Sequence, residues 1–206
     1  MLTLPALVAA LALLAPVSAA AEETAAMAAP RFSPRVRPHD SRSAAILLRG
    51  IERSTTLRLI VDQLESRDVI VYIEMQSALK QQLAGRLTWL TAAGNSRYVR
   101  ISLNSTLGPE VLVSTLGHEL QHALEIALAP NIVDEASLEA HYKRHGIHMQ
   151  SHSSGWDTLA ARQKGEMIRR EIADMASSIG GDSVAVFTPA SWPGAYREMR
   201  DRFSPR

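Results

Sequence analysis

The feature that most restricts the fold is a long predicted helix over about residues 109 to 128. Its start signal is Gly108-Pro109-Glu110, because proline suits the first helical position and an acid there complements the helix dipole. Ala129-Pro130-Asn131 ends it. At 100° per residue its apolar side chains share one side of the helix: Leu112, Val113, Leu116, Leu120, Ala123, Leu124 and Ala127. His118 and His122 fall on the opposite side, which predicts an amphipathic helix with a histidine-bearing face.

Three segments before this helix have the pattern of β-strands. Residues 69 to 73 form a compact run of β-branched and aromatic side chains. Residues 85 to 91 and 98 to 103 alternate in polarity, and the turn residues 93 to 96 lie between them. We expect these two segments to pair as an antiparallel hairpin.

Four further segments have helical patterns. They are residues 44 to 51, 55 to 64, 134 to 144 and 158 to 175. Together with the strands they predict an α+β fold, in which a small antiparallel sheet of about three strands is followed by the long helix and further packed helices. The length of 206 residues fits one domain, or one domain with tails.

The first 21 residues are typical of a cleaved export signal. They contain no charged side chain, their centre is nearly all Leu, Ala and Val, and the small residues Ala19 to Ala21 suit a signal peptidase. The apolar run is too short to span a bilayer comfortably. We therefore expect export to the periplasm or the cell exterior after cleavage near Ala19–Ala21, with no stable membrane span. The alternative is an uncleaved anchor, because no Lys or Arg precedes the apolar centre.

The other boundaries follow from composition. Residues 22 to 42 contain several prolines and no apolar period, which predicts a disordered linker, and whether it acts as a pro-segment stays open. The folded domain is expected over residues 43 to 176, and residues 177 to 206 are expected to form a loop-rich C-terminal tail. A formal net charge of +1 does not favour a nucleic-acid partner, and the absence of cysteine excludes a disulfide.

A five-residue motif, His118-Glu119-Leu120-Gln121-His122, lies in the middle of the long helix. Histidines four positions apart lie on one helical face, where their nitrogens can bind one zinc ion. Glu119 lies about 100° around the helix from His118 and flanks that site. From there its carboxylate can take a proton from zinc-bound water. The spacing predicts a zinc site with His118 and His122 as ligands and Glu119 as the general base.

The segment Gly117 to Glu125, GHELQHALE, resembles the active-site helix of the zincin metallopeptidases, especially that of compact gluzincin-like members. The specific match covers these nine residues, and the order of the surrounding elements agrees more loosely over about residues 69 to 175. The resemblance implies hydrolysis of peptide bonds and a third zinc ligand on a later helix. A Gly and a third His shortly after His122 are absent, which disfavours the metzincin class.

Asp157 is the preferred third ligand. An acid followed by Ala three positions on, here Ala160, is similar to zincins whose ligand helix comes later, where the small residue permits close packing on the active-site helix. Most of that group have Glu at this position, so the shorter Asp requires a closer approach of the backbone. The alternative role of Asp157 is the N-cap of the predicted helix.

Glu135 and Glu139 are the alternative third ligands. They share one face of the next helix, and their spacing looks like that of the thermolysin-like group, although they lie closer to His122 than in that group. One could bind zinc while the other holds the second nitrogen of a histidine. Otherwise Glu135 is a first-turn acid and Glu139 is solvated.

Several other polar residues follow the motif. His141 and His145 lie four apart and could form a second metal pair. A polar helix end and an exposed loop are the favoured interpretation of the whole cluster: His141, His145, His148 and His152. Tyr142 or a loop histidine could stabilise an oxyanion. Glu125 is either a partner of His122 or a solvated acid, and the solvated role is slightly favoured.

The sequence therefore predicts a secreted, zinc-dependent hydrolase, a metallopeptidase acting on peptide or protein substrates. One alternative is a zinc-binding non-peptidase or a catalytically inactive zincin-like module. Another is a secreted helical interaction protein that binds no zinc. Stoichiometric zinc and turnover that depends on Glu119 separate the three.

Overall fold

The computed structural model describes residues 33–77, 79, 83–148 and 156–179. The expected export signal, residues 22 to 32 of the expected linker, His152 and residues 180 to 206 lie outside them. The described part is α+β, as predicted, with five helices, a main sheet and a small hairpin.

The described part begins with an edge strand and two helices. β1 spans Val36–Pro38, α1 spans Ser41–Arg53 and α2 spans Thr55–Glu65. The side chain of Asp40 caps α1 and that of Ser54 caps α2. These caps satisfy backbone amides that have no partner within a helix.

The prediction of a disordered linker over residues 22 to 42 is wrong for residues 33 to 42, the part of it that the structure describes. Val36 is fully buried, and β1 belongs to the main sheet. A three-residue strand that ends at Pro38 is too short to show a period of two, so composition alone indicated a linker.

The main sheet has four strands in the order β1-β2-β4-β3. β2 spans Val69–Gln76, β3 spans Gly85–Ala93 and β4 spans Ser96–Asn104. β3 and β4 form the antiparallel hairpin, which is confirmed, and its turn contains Gly94 at a φ of 56°. β1 and β4 both run parallel to β2.

The sheet is therefore mixed, and the prediction of an antiparallel sheet of about three strands is wrong in both direction and number. The chain passes from β2 to the outer edge, forms β3 there, and returns through the hairpin so that β4 lies beside β2. Alternation along a strand indicates its two faces but does not give the direction of its neighbours.

Three helices and a small hairpin complete the described chain. α3 spans Pro109–Leu128, α4 spans Glu135–His145 and α5 spans Leu159–Ile179. Between α4 and α5, β5 (Ile147–His148) pairs antiparallel with β6 (Trp156–Asp157). The predicted bounds of α3 are confirmed, and α4 and α5 lie within a few residues of their predictions. None of the helices in the described ranges combines the length and apolarity that a membrane span needs.

α3 lies at the centre of the fold, in contact with the sheet and with α1, α2 and α5. Fully buried side chains of α3, β2 and β4 share one apolar core: Leu112, Leu116, Leu120, Val71, Ile73, Val99 and Ile101. Gly117 permits close contact between α3 and α5, because a Cβ there would lie 2.0 Å from Ile168 Cδ1. The removal of this apolar surface from water fixes the motif helix against its neighbours.

One buried arginine, Arg97 of β4, holds the C-terminus of α3. It donates hydrogen bonds to four backbone carbonyls there, those of Ile126, Ala127, Ala129 and Ile132. Its Nε and Nη2 atoms also bind the carboxylate of Asp68 at 2.8 and 2.6 Å. A cation at this position is favoured by the helix dipole.

Candidate metal centre

α3 and β6 bring three ligand-type side chains together. His118 Nε2 lies 3.3 Å from Asp157 Oδ1, and His122 Nε2 lies 3.4 Å from the same oxygen. The centres of the two imidazole rings are 4.9 Å apart. The three ligand atoms all lie within 4.8 Å of one another, so one metal ion could contact all of them. Across the described residues this is the only such group of three.

Asp157 reaches the histidines from β6, not from a helix. Thr158 is the residue that caps α5, since its Oγ1 accepts a hydrogen bond of 3.1 Å from the Ala161 amide. The alternative prediction of Asp157 as the N-cap is therefore wrong. Pairing of β6 with β5 fixes the backbone here, and the short side chain of Asp157 then reaches both histidines.

The small residue that packs on the histidine face is Gly165 of α5. A Cβ at Gly165 would lie 3.3 Å from His118 Cβ and 3.4 Å from the Ser114 carbonyl oxygen. Ala160, to which the resemblance assigned this contact, is exposed. The assignment fails because Ala160 lies on the outer side of the first turn of α5.

Glu119 is buried beside the three candidate ligands and next to β3. Burial raises the pKa of its carboxyl, while the nearby His122 and His118 act in the opposite direction. The backbone amide of Leu87 donates a hydrogen bond to the carboxylate. A Cβ at Gly85 would lie 3.2 Å from both Cγ and Oε1 of Glu119, so only glycine leaves this space. The edge strand therefore confines the carboxylate.

Two side chains hold the second nitrogen of His122. Nδ1 lies 3.0 Å from Glu125 Oε2 and 3.1 Å from the Tyr142 hydroxyl. Burial acts to lower the pKa of His122, but hydrogen bonds to Asp157 and Glu125 raise it to about 9. The favoured prediction of Glu125 as a solvated acid is wrong, and its alternative role as the partner of His122 is observed. Such a partner sets the tautomer and orientation of a ligand ring.

Glu125 is itself anchored by α5. Thr158 Oγ1 donates a hydrogen bond of 2.7 Å to Glu125 Oε1. Burial acts to raise the pKa of Glu125, but hydrogen bonds from His122 and Thr158 lower it overall. The ionised carboxylate favours a proton on Nδ1 of His122, so Nε2 is the nitrogen that could bind a metal ion.

Tyr142 contacts the side of His122 that faces away from Asp157. Its buried hydroxyl lies against Nδ1 of His122 and donates to Glu125. This position supports the imidazole ring. The structure thus places the Tyr142 hydroxyl against His122, and the oxyanion contact that the sequence left open stays a prediction.

Glu135 and Glu139 line the cavity but are not brought to the histidine pair. Glu139 forms an exposed ion pair with Lys143 at 2.7 Å. Glu135 is the first residue of α4 and is exposed. Of the three candidate carboxylates, only Asp157 lies with His118 and His122.

No other described histidine joins this group of three candidate ligands, but His148 lines the cavity beside it. The rings of His141 and His145 are 4.8 Å apart on α4, and no third ligand joins them among the residues that the structure describes. His148 of β5 packs edge-on against Trp156, with ring centres 5.0 Å apart.

A cavity of about 1140 Å³ opens over the three ligands. β3 forms one wall through residues 85 to 89, and side chains of α3, α4, β6 and α5 form the others. Pockets for small molecules usually measure about 300–1,000 Å³, and this cavity lies just above that range.

Comparisons with protein-family models, with curated proteins and with solved structures find no match to this chain. No family membership is therefore shown, and the function has to be inferred from the site itself.

Two residues that bind the Asp157 carboxylate were not predicted from the sequence. Arg162 Nε donates to Asp157 Oδ2 at 2.7 Å, and the Thr158 amide donates to Oδ1 at 2.7 Å. Burial acts to raise the pKa of Asp157, but hydrogen bonds from both histidines and Arg162 hold it well below its usual range. The sequence feature that could have indicated Arg162 is its position in the first turn of the helix that follows the candidate ligand.

Proposed function

We propose that this chain is a zinc-dependent hydrolase, in which His118, His122 and Asp157 bind the zinc ion. The observation that carries the proposal is the position of Asp157 Oδ1 relative to the Nε2 atoms of both histidines. Ligands about 2.0–2.1 Å from a tetrahedral zinc ion lie about 3.3–3.4 Å from each other. Asp157 Oδ1 lies 3.3 and 3.4 Å from the two Nε2 atoms.

An ion pair alone accounts for these distances less well. Charge-assisted hydrogen bonds between nitrogen and oxygen usually measure about 2.7–2.9 Å. The same carboxylate reaches that range with Arg162, at 2.7 Å, but not with either histidine. Two imidazoles and a carboxylate are also a donor set that catalytic zinc uses, because it leaves one position open.

Glu119 is the proposed general base. Zinc supplies a Lewis acid that polarises a carbonyl group and lowers the pKa of a water molecule. The Glu119 carboxylate would accept a proton from the attacking water and pass it to the leaving group. The contacts with Leu87 and Gly85 keep this carboxylate in position beside the candidate ligands.

Among the residues that the structure describes, β3 is an edge strand of the sheet, and this edge supports a peptide as the substrate. The Asn104 amide donates to the Ala84 carbonyl, and hydrogen-bonded pairs alternate along an antiparallel ladder. Every second residue of β3 therefore directs its backbone groups away from β4. These residues, Gly85, Leu87 and Trp89, all line the cavity. An extended peptide can pair with such an edge by main-chain hydrogen bonds, here at Gly85 and Trp89, since the Leu87 amide already faces Glu119.

Elemental analysis of purified protein tests the metal site. We expect about one zinc per chain in wild type and in Glu119→Gln, and its loss in His122→Ala. His145→Ala, which removes an exposed histidine of α4, is the matched control and should keep its zinc. Wild type without zinc, even after purification with added zinc, would overturn the proposal.

Cleavage of a peptide mixture, followed by mass spectrometry, tests the reaction. We expect wild type to cleave, and Glu119→Gln to lose activity by about 10²–10⁴-fold while it keeps zinc. Zinc binding without Glu119-dependent cleavage would instead support the catalytically inactive zinc-binding module.

A further inference from the structure

We infer that Arg162 keeps Asp157 as a single-oxygen ligand and so preserves an open position on the metal, an inference that rests on the proposed zinc site. Arg162 Nε donates to Asp157 Oδ2 at 2.7 Å. The other oxygen, Oδ1, is the one that lies near both histidines. The two oxygens of one carboxylate therefore have different partners.

Rotation of this carboxylate is opposed from both sides. The Thr158 amide donates to Oδ1 at 2.7 Å, so that oxygen is also held. Turning both oxygens toward the metal would break the bonds to Arg162 and Thr158. A hydrogen bond between a guanidinium and a carboxylate is about twice as strong as one between neutral groups.

Packing of α5 fixes Arg162 relative to the histidines. Arg162 lies in the first turn of α5, directly after the fully buried Ala161. The same helix meets α3 where Gly165 approaches His118. The Arg162 side chain itself is 43% exposed, so its replacement leaves the core intact.

The number of oxygens that Asp157 contributes decides what the site can do. One oxygen gives three protein donor atoms and leaves a fourth position for water or substrate, as in catalytic zinc sites. Two oxygens give four protein donor atoms, so a bound water or substrate would then be a fifth donor to the metal. Arg162 is thus a positioning residue, since it contacts a ligand and acts on the metal through it.

Cobalt(II) in place of zinc reports this difference, because its visible d–d bands are far more intense in tetrahedral than in five-coordinate sites. The experiment compares wild type, Arg162→Ala, Arg162→Lys and Arg170→Ala, each loaded with one equivalent of Co(II). Arg170 is the matched control, an exposed arginine of α5 that pairs with Glu166.

We expect intense bands in wild type, in Arg170→Ala and in Arg162→Lys, whose ammonium group can still donate to Oδ2. In Arg162→Ala the bands should lose more than about half of their intensity, while the metal content stays near one Co(II) ion per chain. Unchanged bands in Arg162→Ala would overturn the inference and leave the zinc site standing.

Two other outcomes are also decisive. Loss of the metal from Arg162→Ala, with an unchanged melting temperature of the metal-free protein, would contradict the inference, because Arg162 would then be needed for binding itself. Failure of wild type to bind Co(II) or zinc would overturn the proposed function, and the inference with it.

Discussion

Thr158 Oγ1 donates a hydrogen bond of 2.7 Å to Glu125 Oε1, and the other oxygen of that carboxylate lies 3.0 Å from His122 Nδ1. The same hydroxyl accepts from the Ala161 amide at the start of α5. The Thr158 backbone amide donates to Asp157 Oδ1. One residue therefore joins the beginning of α5 to two of the three candidate ligands.

Thr158→Val removes this hydroxyl and keeps the shape of the side chain. We expect the free energy of unfolding to fall by about 1–2 kcal/mol, because α5 loses its cap and Glu125 loses a donor. Urea denaturation of the metal-free protein measures the change. Thr158→Ser should recover most of it, and a valine variant as stable as wild type would contradict this role of the hydroxyl.

Glu125→Gln removes the charge beside Nδ1 of His122. We expect the zinc dissociation constant to rise by about 10–100-fold, because the ligand ring loses the partner that sets its tautomer. Competition with a chromophoric chelator measures it. Glu139→Gln is the control, since Glu139 pairs with Lys143 outside the ligand group. A larger rise of the zinc dissociation constant in Glu139→Gln than in Glu125→Gln would make Glu139 a candidate ligand again.

Gly85→Ala tests the close approach of β3 to α3. The new Cβ would lie 2.5 Å from Thr115 Cγ2 and 3.2 Å from Glu119 Oε1, so these groups must move. We expect a loss of about 1–3 kcal/mol in stability. Hydrolysis should fall more than zinc content, because Glu119 moves while the ligands stay.

The double variant Gly85→Ala/Thr115→Ser is the control for this test. Serine lacks the methyl group nearest to the new Cβ, so part of the lost stability should return. Thermal unfolding and peptide hydrolysis are measured on the same preparations. Wild-type stability and activity in Gly85→Ala alone would contradict the packing of β3 against Glu119.

Asp68 should contribute to the pH dependence of stability. A hydrogen bond from Arg97 lowers the pKa of Asp68 below its usual value of 3.8. The contribution is therefore complete above that pH and is lost as the pH falls through the lowered pKa of the folded state. Asp68→Asn should cost about 1 kcal/mol or less at neutral pH, since the Asp68 side chain is 45% exposed and is screened by solvent.

The measurement is urea denaturation of wild type and Asp68→Asn over a series of pH values. The difference in the free energy of unfolding between wild type and Asp68→Asn should become smaller once the pH drops below 3.8. A difference that stays constant over the series would show that the charge of Asp68 contributes nothing.

Removal of zinc should lower the melting temperature. An ion that binds only the folded chain adds about 2.7 kcal/mol of stability at a free concentration of 100 times its dissociation constant. Calorimetry with and without a chelator should show a drop in wild type and Glu119→Gln, but none in His122→Ala. A melting temperature of wild type that the chelator does not change would contradict the proposed metal site.

The sequence by itself determined the parts that depend on local geometry. The bounds of α3 and the shared face of His118 and His122 follow from the helical period, and the β3–β4 hairpin follows from alternation around a turn. In each case the interacting residues are close in the chain, where backbone geometry alone sets their spacing.

Only the tertiary structure decided the contacts between distant segments. The sequence left three carboxylates open, and packing of α5 and the β5–β6 hairpin on α3 selected Asp157. Glu125 became a partner of His122 because Thr158, from a later segment, donates to it. β1 and the parallel direction of β4 likewise depend on pairing across the chain. Burial and side-chain partners are properties of the packed interior, and a periodic pattern does not specify them.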